Sequence, residues 1–217
     1  MSDAIRVGLV GFGYASKTFH APLIGGTPGM ALKAVASSDA DKVHADWPGV
    51  KVMSAPGDLL DDPDIDLVVI ATPNDTHFPL AKAALEAGKH VVVDKPFTVT
   101  LSQARELESL AKHCGRILSV FHNRRWDSDF LTVSALINEG QLGEVCYFES
   151  HFDRFRPQVR QRWREQAGPG SGIWYDLAPH LLDQVVVLFG LPVSITVDLA
   201  QLRPGAQSTD YFHAVLA

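Results

Sequence analysis

A run of three valines, Val91-Val92-Val93, places the strongest constraint on how this chain folds. Consecutive β-branched residues predict a strand buried on both faces, as the strands of a parallel sheet are. The run stops at Asp94-Lys95, and Pro96 cannot continue the hydrogen-bonded ladder. Because ligands bind beyond the carboxyl ends of strands in open α/β sheets, Lys95 is a candidate for chemistry. A solvated lysine at the start of a loop is the alternative.

Apolar segments alternate with helical patterns through the first 121 residues. A helix is predicted from about Phe78 to Ala87, with Gly88 as its stop, and Thr100 with Gln103 predicts a capping box for the next helix. This alternation predicts an α/β fold with a doubly wound parallel sheet. The predicted strands are Ile5–Val10, Ala31–Ala36, Val50–Met53, Asp66–Thr72, the Val91 strand and Arg116–Phe121.

A glycine turn follows the first strand directly. Strand, glycine turn and helix match the start of a dinucleotide-binding unit, in which the backbone approaches a pyrophosphate at the helix N-terminus. Ser16 stands at the third position of the motif, where Gly or Ala is usual, so the motif is imperfect. The residues that we expect to hold the pyrophosphate are Gly11, Phe12, Gly13, Tyr14 and Ala15.

The residues after the second strand bear on the choice of cofactor. An acidic residue here would accept a hydrogen bond from the ribose 2′-hydroxyl of NAD, whereas small hydroxyls and a cation suit the extra phosphate of NADP. Ser37, Ser38 and Lys42 favour NADP. Asp39 and Asp41 leave NAD open, and an ordinary surface charge is the alternative reading of Lys42.

The pattern changes at His122, which marks a second region with a different arrangement. A helix is predicted to end at Gly140, and a long strand is predicted over Val145–Asp153. The last predicted strands are Val193–Leu199 and Tyr211–Ala217. Because the chain stops within a strand, we expect a truncated protein whose small sheet would leave an edge exposed.

A helix with two titratable residues is predicted near Tyr175 to Phe189. Pro179 is tolerated in the first turn of a helix, which places the start near Tyr175. Asp176 and His180 then lie four residues apart on one face, beside the N-terminus. The macrodipole there favours a carboxylate and a neutral imidazole that can accept a proton. A helix cap and a packed imidazole are the alternative.

A basic segment precedes this helix. Such a run is commonly a solvated face, but a local basic cluster in an acidic protein could also bind a phosphate. The arginines of the segment surround Trp163 and are Arg154, Arg156, Arg160, Arg162 and Arg164.

Composition argues against several other classes of protein. The net charge of −6, from 25 acidic and 19 basic residues, favours neither nucleic acid nor an anionic membrane as a partner. The 2 cysteines offer no metal-ligand spacing, so no metal is expected. The first strand leaves no room for a signal peptide, and no apolar run approaches the roughly 18 residues of a membrane span. We therefore expect a cytoplasmic protein.

Four motifs spread over essentially the whole chain occur together. They are Gly11-Phe12-Gly13 with His20-Ala21-Pro22, Ala71 to His77, Ala87 to Val91 leading into Asp94-Lys95-Pro96, and Asp176 to His180. Together they resemble the motifs of the glucose-fructose oxidoreductase / inositol dehydrogenase / rhizopine-catabolism (Gfo/Idh/MocA) family. The segments Phe19-His20-Ala21-Pro22, His122–Asp127 and Arg162-Trp163-Arg164 are most similar to the subgroup that contains NADP-dependent scyllo-inositol dehydrogenases.

The resemblance implies a Rossmann domain over residues 1–121. It implies that residues 122–217 are the N-terminal part of an α/β substrate and oligomerisation domain with a mostly antiparallel open sheet, in a homodimer or homotetramer. It also implies that Lys95, Asp176 and His180 are the catalytic set and that the Lys95–Pro96 bond is cis. Asp94 stands where the family motif more often has Glu.

These observations predict an NAD(P)-dependent oxidoreductase that moves hydride between a secondary alcohol of a sugar or cyclitol and the nicotinamide. His180 would be the base, Lys95 the stabilising cation, and Asp176 the group that orients the substrate and His180. A nucleotide-binding remnant or sensor without catalysis, and glycoside cleavage or imine reduction, are the alternatives. Further residues expected at the cofactor or at the closure of its pocket are Thr72, Pro73, Asn74, His77, Asp94, Lys95, Asn123, Trp163 and Arg164.

Overall fold

The structure is a computed structural model that describes residues 4–217. The chain forms two compact units, one ending at Phe121 and the other spanning His122–Ala217. The strands of the described residues are β1 (Ile5–Val10), β2 (Met30–Ala36), β3 (Lys51–Met53), β4 (Leu67–Ile70), β5 (His90–Asp94), β6 (Leu118–Phe121), β7 (Ile195–Ala200) and β8 (Tyr211–Leu216). The helices are α1 (Ala21–Gly26), α2 (Ala40–His44), α3 (Pro56–Leu60), α4 (His77–Glu86), α5 (Leu101–Cys114), α6 (Ser128–Asn138) and α7 (Gly172–Phe189).

The first unit is a parallel sheet with the strand order β3-β2-β1-β4-β5-β6. Every neighbouring pair in this sheet is parallel. The order runs outward from β1 in both directions, which is the doubly wound arrangement and confirms the predicted fold class. β1 has the predicted bounds, whereas β4 is shorter than the predicted Asp66–Thr72.

Apolar side chains bury both faces of this sheet. Val7 and Leu9 belong to the core on one face, and Val68 and Val91 belong to the core on the other. Successive residues of a strand point to opposite faces, so a strand covered on both sides needs an uninterrupted apolar run. This requirement explains the β-branched runs in the sequence.

The predicted capping box opens α5. The backbone N–H of Gln103 donates to Thr100 Oγ1 at 3.3 Å, and the backbone N–H of Thr100 donates to Gln103 Oε1 at 3.2 Å. Two N–H groups that lack a partner inside the helix are thereby satisfied. The adjoining Lys95–Pro96 peptide bond is cis, as expected from the resemblance.

The second unit contains α6, α7 and one antiparallel pair of strands, β7 and β8. The prediction of a strand over Val145–Asp153 is wrong, because these residues form no regular element. A strand requires a laddered partner, and β7 and β8 hydrogen-bond to each other. Alternation of apolar residues therefore does not by itself make this segment a strand.

The helix α7 begins three residues earlier than the sequence suggested. Its first residue is Gly172, and Pro179 lies inside the helix and not in the first turn. Gly172 has φ +86, and an added Cβ would lie 2.3 Å from Thr209 Oγ1. The backbone N–H of Ile173 donates to the Thr209 carbonyl at 2.7 Å, so a distant loop fixes the start of the helix.

Because α7 begins at Gly172, its two titratable residues, Asp176 and His180, do not lie at the helix N-terminus. No acidic residue lies in the first turn, so Asp176 and His180 lie further along the helix. The influence of the macrodipole falls off within the first turn. The predicted position beside the helix N-terminus is therefore wrong, whereas the neutral form of His180 stays a prediction. The two side chains keep their spacing of four residues.

Gly11 joins β1 to the following helical turn under two constraints. Its φ is +88, a conformation that L side chains rarely adopt. A Cβ at this position would lie 2.7 Å from the Ala71 carbonyl oxygen and 3.1 Å from Thr72 Cγ2. Gly13, by contrast, would place its Cβ in open space.

We therefore predict that Gly11→Ala destabilises the protein. The left-handed backbone alone costs about 1–3 kcal/mol, and the contact with the Ala71 oxygen adds to it. Urea unfolding followed by circular dichroism measures the change in the free energy of unfolding.

Gly13→Ala is the matched control, and its free energy of unfolding should change by no more than about 0.5 kcal/mol. Equal effects of the two substitutions would show that the close approach at Gly11 does not constrain the turn.

Candidate active site

Three loops of the first unit meet at one edge of the sheet. Val10 of β1 is in register with Ile70 of β4, and Ile70 is in register with Val93 of β5. The strands are parallel, so the segments after them emerge side by side at the carboxyl edge. The chain order reverses at β1, and the crevice at such a switch point is where open α/β sheets bind ligands.

The glycine turn after β1 leaves its outer side open. Phe12 is buried, whereas Tyr14 is 78% exposed. Ser16 is fully buried and its hydroxyl donates to the Gly11 carbonyl at 2.8 Å. The serine therefore closes the turn from inside, which explains how this imperfect motif is accommodated. The helical turn begins at Tyr14, and the first N–H groups of a helix have no acceptor within it.

In the segment after β2, the Asp39 carboxylate has a structural role. Asp39 caps α2 and accepts a hydrogen bond from the backbone N–H of Lys42 at 3.0 Å. The Ser37 hydroxyl accepts from the Asp39 backbone N–H at 3.2 Å. Ser38 and Lys42 are exposed. Asp39, one of the two acidic residues that left NAD open as the cofactor, is thus engaged as a helix cap.

The loop after β4 is closed by a short network of hydroxyl groups. Thr72 Oγ1 lies 2.6 Å from Thr76 Oγ1, and Thr76 Oγ1 donates to the Pro73 carbonyl at 2.6 Å. Asn74 begins a 3-10 turn and is 3% exposed. These contacts order the loop beside the glycine turn.

His77 links the loop after β4 to the loop after β5. It is 1% exposed, with Nδ1 2.8 Å from the Pro96 carbonyl oxygen and Nε2 3.0 Å from the Thr72 carbonyl oxygen. His77 therefore braces the two loops, and its contact with a cofactor stays a prediction.

Asp94 and His20 support the backbone at Lys95. Asp94 Oδ1 accepts from the Lys95 backbone N–H at 2.8 Å, and Asp94 Oδ2 lies 3.6 Å from His20 Nε2. The His20 ring is buried and packs on Phe121 with 4.3 Å between ring centroids. Burial raises the pKa of Asp94, but the contact with His20 and the Lys95 N–H outweigh it and hold that pKa below its ordinary value.

The second unit brings together Trp163, Arg164 and Asp176. Arg164 Nε lies 3.4 Å from Asp176 Oδ1, and the Arg164 guanidinium carbon lies 4.3 Å from the Trp163 ring centroid. His180, one turn further along α7, is 6% exposed and lies edge-on to Phe152 at 6.4 Å between ring centroids. Asp176 thus has a charged neighbour in Arg164, and His180 has an aromatic neighbour in Phe152.

Asn123 begins a 3-10 turn that is tied to α7. Gln184 Nε2 donates to the Arg124 carbonyl at 3.0 Å. Arg125 makes two bonds to the Asp183 carboxylate, at 2.7 and 2.6 Å. Asp183 and Gln184 were missed by sequence reasoning, although they continue the helical spacing that begins at Asp176 and His180.

A buried cluster of ion pairs was also missed. Arg203 lies 2.8 Å from Asp210 and 3.1 Å from Glu165, and Glu165 accepts from Arg162 Nε at 2.7 Å. Burial raises the pKa of Glu165, but the Arg160 backbone N–H and the Arg162 guanidinium hold it below its ordinary value. Arg162 and Glu165 are three residues apart, whereas Arg203 is distant from Glu165 in the sequence, so no local spacing signals the contact that completes the cluster.

Comparison with known proteins gives two matches to family models and several close relatives. Residues 5–122 match the model of an oxidoreductase family with an NAD-binding Rossmann fold, and residues 134–217 match that family's C-terminal alpha/beta domain. The chain is 80% identical over 217 residues to the uncharacterized oxidoreductase YdgJ of Escherichia coli, covering 100% of the chain and 63% of that protein.

Two further similarities bear on structure and chemistry. The chain is 39% identical over 214 residues to scyllo-inositol 2-dehydrogenase (NADP(+)) IolW of Bacillus subtilis, covering 99% of the chain and 60% of that protein. The solved structure of YPO2259 from Yersinia pestis has a TM-score of 0.93 and 70% identity, covering 100% of this chain and 61% of that one. The chain thus spans less than two thirds of the length of each of these relatives.

No helix within residues 4–217 is long and apolar enough to cross a membrane.

Three findings lead to one family assignment. They are the parallel sheet with its glycine turn, the matches of both domain models and the similarity to named oxidoreductases. The chain belongs to the Gfo/Idh/MocA oxidoreductase family.

Proposed function

We propose that this protein is an NAD(P)-dependent dehydrogenase that oxidises a secondary alcohol of a sugar or cyclitol. The observation that carries the proposal is the position of Lys95, which directly follows β5 at the edge where the glycine turn of β1 also emerges. A cation there can stabilise negative charge that develops on a substrate oxygen next to a nicotinamide. The name of the Bacillus subtilis relative points to the same class of substrate.

The residues present fit a dinucleotide. At Gly11 a side chain would collide with the Ala71 carbonyl, while the outer side of Gly13 is open. Backbone approach at these glycines and the N–H groups of the helical turn would hold the pyrophosphate. Thr72, Pro73 and Asn74 would line the nicotinamide side. The nicotinamide, when bound, supplies the acceptor for the hydride of the alcohol carbon.

Each of the three proposed catalytic residues has a separate role. His180 would accept the proton of the substrate hydroxyl, which makes the alcohol carbon a better hydride donor. The Lys95 ammonium would stabilise the charge on that oxygen. Asp176, next to Arg164, would accept hydrogen bonds from neighbouring substrate hydroxyls and so orient the ring. Asn123, Trp163 and Arg164 would help to close the pocket.

We further propose NADP as the preferred cofactor. Asp39 is engaged as a helix cap, and the exposed Ser38 and Lys42 lie in the same segment as Ser37. Small hydroxyls and a cation suit a 2′-phosphate. The predicted homodimer or homotetramer and the predicted cytoplasmic location stay predictions.

Lys95→Ala should lower kcat by about 100-fold or more, because a preorganised positive charge is lost from the transition state. The measurement is nicotinamide absorbance with NADP and with NAD, using scyllo-inositol, myo-inositol and aldoses.

Lys33→Ala is the control, since Lys33 is exposed on β2 and has no proposed role. Unchanged turnover in Lys95→Ala would remove Lys95 from the mechanism. Cofactor binding by the unaltered protein, without turnover of any polyol, would indicate a nucleotide-binding function.

His180→Asn should lower kcat and abolish the acidic limb of the pH–rate profile. An asparagine keeps a polar side chain of similar size but cannot accept the substrate proton. The pH dependence of kcat/KM is compared with that of His113→Asn, an exposed histidine at the end of α5. Retention of the original profile in His180→Asn would exclude His180 as the base.

Ser37→Asp should change the preference from NADP towards NAD. A carboxylate at this position repels the 2′-phosphate and accepts a hydrogen bond from the ribose 2′-hydroxyl. We expect KM for NADP to rise about tenfold or more, as for the loss of one charge-assisted contact. The ratio of kcat/KM for the two cofactors is the measurement, and Ser102→Asp on α5 is the control. An unchanged ratio would contradict the NADP proposal.

A further inference from the structure

Loops of the second unit line an open-sided cavity of about 310 Å³ beside Asp176. It lies between the segment that contains Arg154 and Arg156, the first turns of α7, and the loop before β8. Its volume is at the lower end of the range for small-molecule sites, which suits a single sugar ring or a part of one. The cavity therefore adjoins one of the proposed catalytic residues.

Positive charge exceeds negative charge around this cavity. Its walls contain five arginines and three carboxylates, which leaves two positive charges without a counterpart. The carboxylates are Glu165, Asp176 and Asp210, and the arginines are Arg154, Arg156, Arg162, Arg164 and Arg203.

The carboxylates are already engaged by three of the arginines. Arg203 contacts Asp210 and Glu165, Arg162 contacts Glu165, and Arg164 contacts Asp176. These pairs also fix the loop, because Arg203 donates to the carbonyl oxygens of Arg156 and Gln158 at 3.2 Å. Arg203 and its acids thus have a structural role that needs no ligand.

Arg154 and Arg156 have no such role. Within residues 4–217, neither guanidinium forms a salt bridge; Arg156 is half-buried and Arg154 is exposed. Burial lowers the pKa of Arg156, and the positive charges of Arg154, Arg160 and Arg162 lower it further. Asp176 attracts Arg156, but more weakly than the three arginines repel it, and an anion bound in the cavity would reduce the repulsion.

We infer that this cavity binds an oxyanion group of the substrate, either a carboxylate or a phosphate ester, through Arg154 and Arg156. A guanidinium presents two parallel N–H donors to such a group. The inference rests on the proposed function and narrows it, because it makes sugars or cyclitols with an acidic substituent the preferred substrates. The neutral hydroxyls of the same ring would then lie towards Asp176.

The test is isothermal titration calorimetry of the full 217-residue chain with D-glucuronate, D-glucose 6-phosphate and D-glucose at matched ionic strength. We expect at least one anion to bind about tenfold or more tightly than glucose, as for one charge-assisted contact. A preference for glucuronate alone would identify a carboxylate site, and a preference for glucose 6-phosphate alone would identify a phosphate-ester site. Equal affinities for all three compounds would overturn the inference.

Three variants locate the anion. Arg154→Gln and Arg156→Gln should each remove most of the preference and leave the affinity for glucose unchanged. Arg156→Lys should retain part of it, because the charge remains and the fork of donors is lost. Arg160→Gln is the control, since Arg160 is exposed, belongs to the same basic segment and does not line the cavity. A preference that survives both Arg154→Gln and Arg156→Gln would overturn the inference.

Turnover assays separate this inference from the proposed function. Oxidation of neutral and anionic polyols with the same kcat/KM would overturn the inference and leave the dehydrogenase proposal in place. An anion preference that depends on Arg156, without hydride transfer to either cofactor, would support the oxyanion site and overturn the dehydrogenase proposal.

Discussion

The common register of β1, β4 and β5 is the constraint on which the rest of the first unit depends. Because Val10, Ile70 and Val93 are aligned, the three segments after them share one edge. That alignment also creates the close approach of the Ala71 carbonyl to the turn after β1, which only Gly11 tolerates. Burial of the apolar strand residues thus aligns the three loops that carry the polar groups of the candidate site. The buried strand residues themselves are not proposed to contact a ligand.

Loops at this edge are held by buried polar groups, since loops have no ladder of their own. His77 bridges the carbonyls of Thr72 and Pro96, and Asp94 holds the backbone N–H of Lys95. An unsatisfied buried carbonyl or N–H is costly, so each contact restricts the loop to one conformation. The position of Lys95 is therefore set by its own backbone and by neighbours that need not touch a substrate.

Local signals in the sequence predicted much of the fold. The bounds of β1, the alternation of strands with helices and the capping box at Thr100 depend on residues that are close in the chain, and all are present. Two predictions failed where distant contacts decide the structure. The segment Val145–Asp153 lacks a ladder partner, and the contact of Gly172 with Thr209 sets the start of α7. The types of residue in the candidate site were predictable. The role of His77 in bracing two loops was not, because it depends on the Pro96 carbonyl, which is distant in the sequence. The role of Asp39 as a helix cap is a local contact that the sequence analysis did not use.

The basic segment of the second unit shows why charge composition alone is ambiguous. Part of its charge is structural, because Arg162 and the distant Arg203 both contact Glu165, the last residue of a 3-10 turn. Buried ion pairs offset the desolvation of their members only when each partner is present, so the cluster around Glu165 has to be complete within the protein. Arg154 and Arg156 form no such pair within residues 4–217, and Arg154, Arg160 and Arg162 repel Arg156 more strongly than Asp176 attracts it. Electrostatic repulsion between side chains that no structural contact requires is expected at a ligand-binding site. A ligand of opposite charge removes this repulsion when it binds.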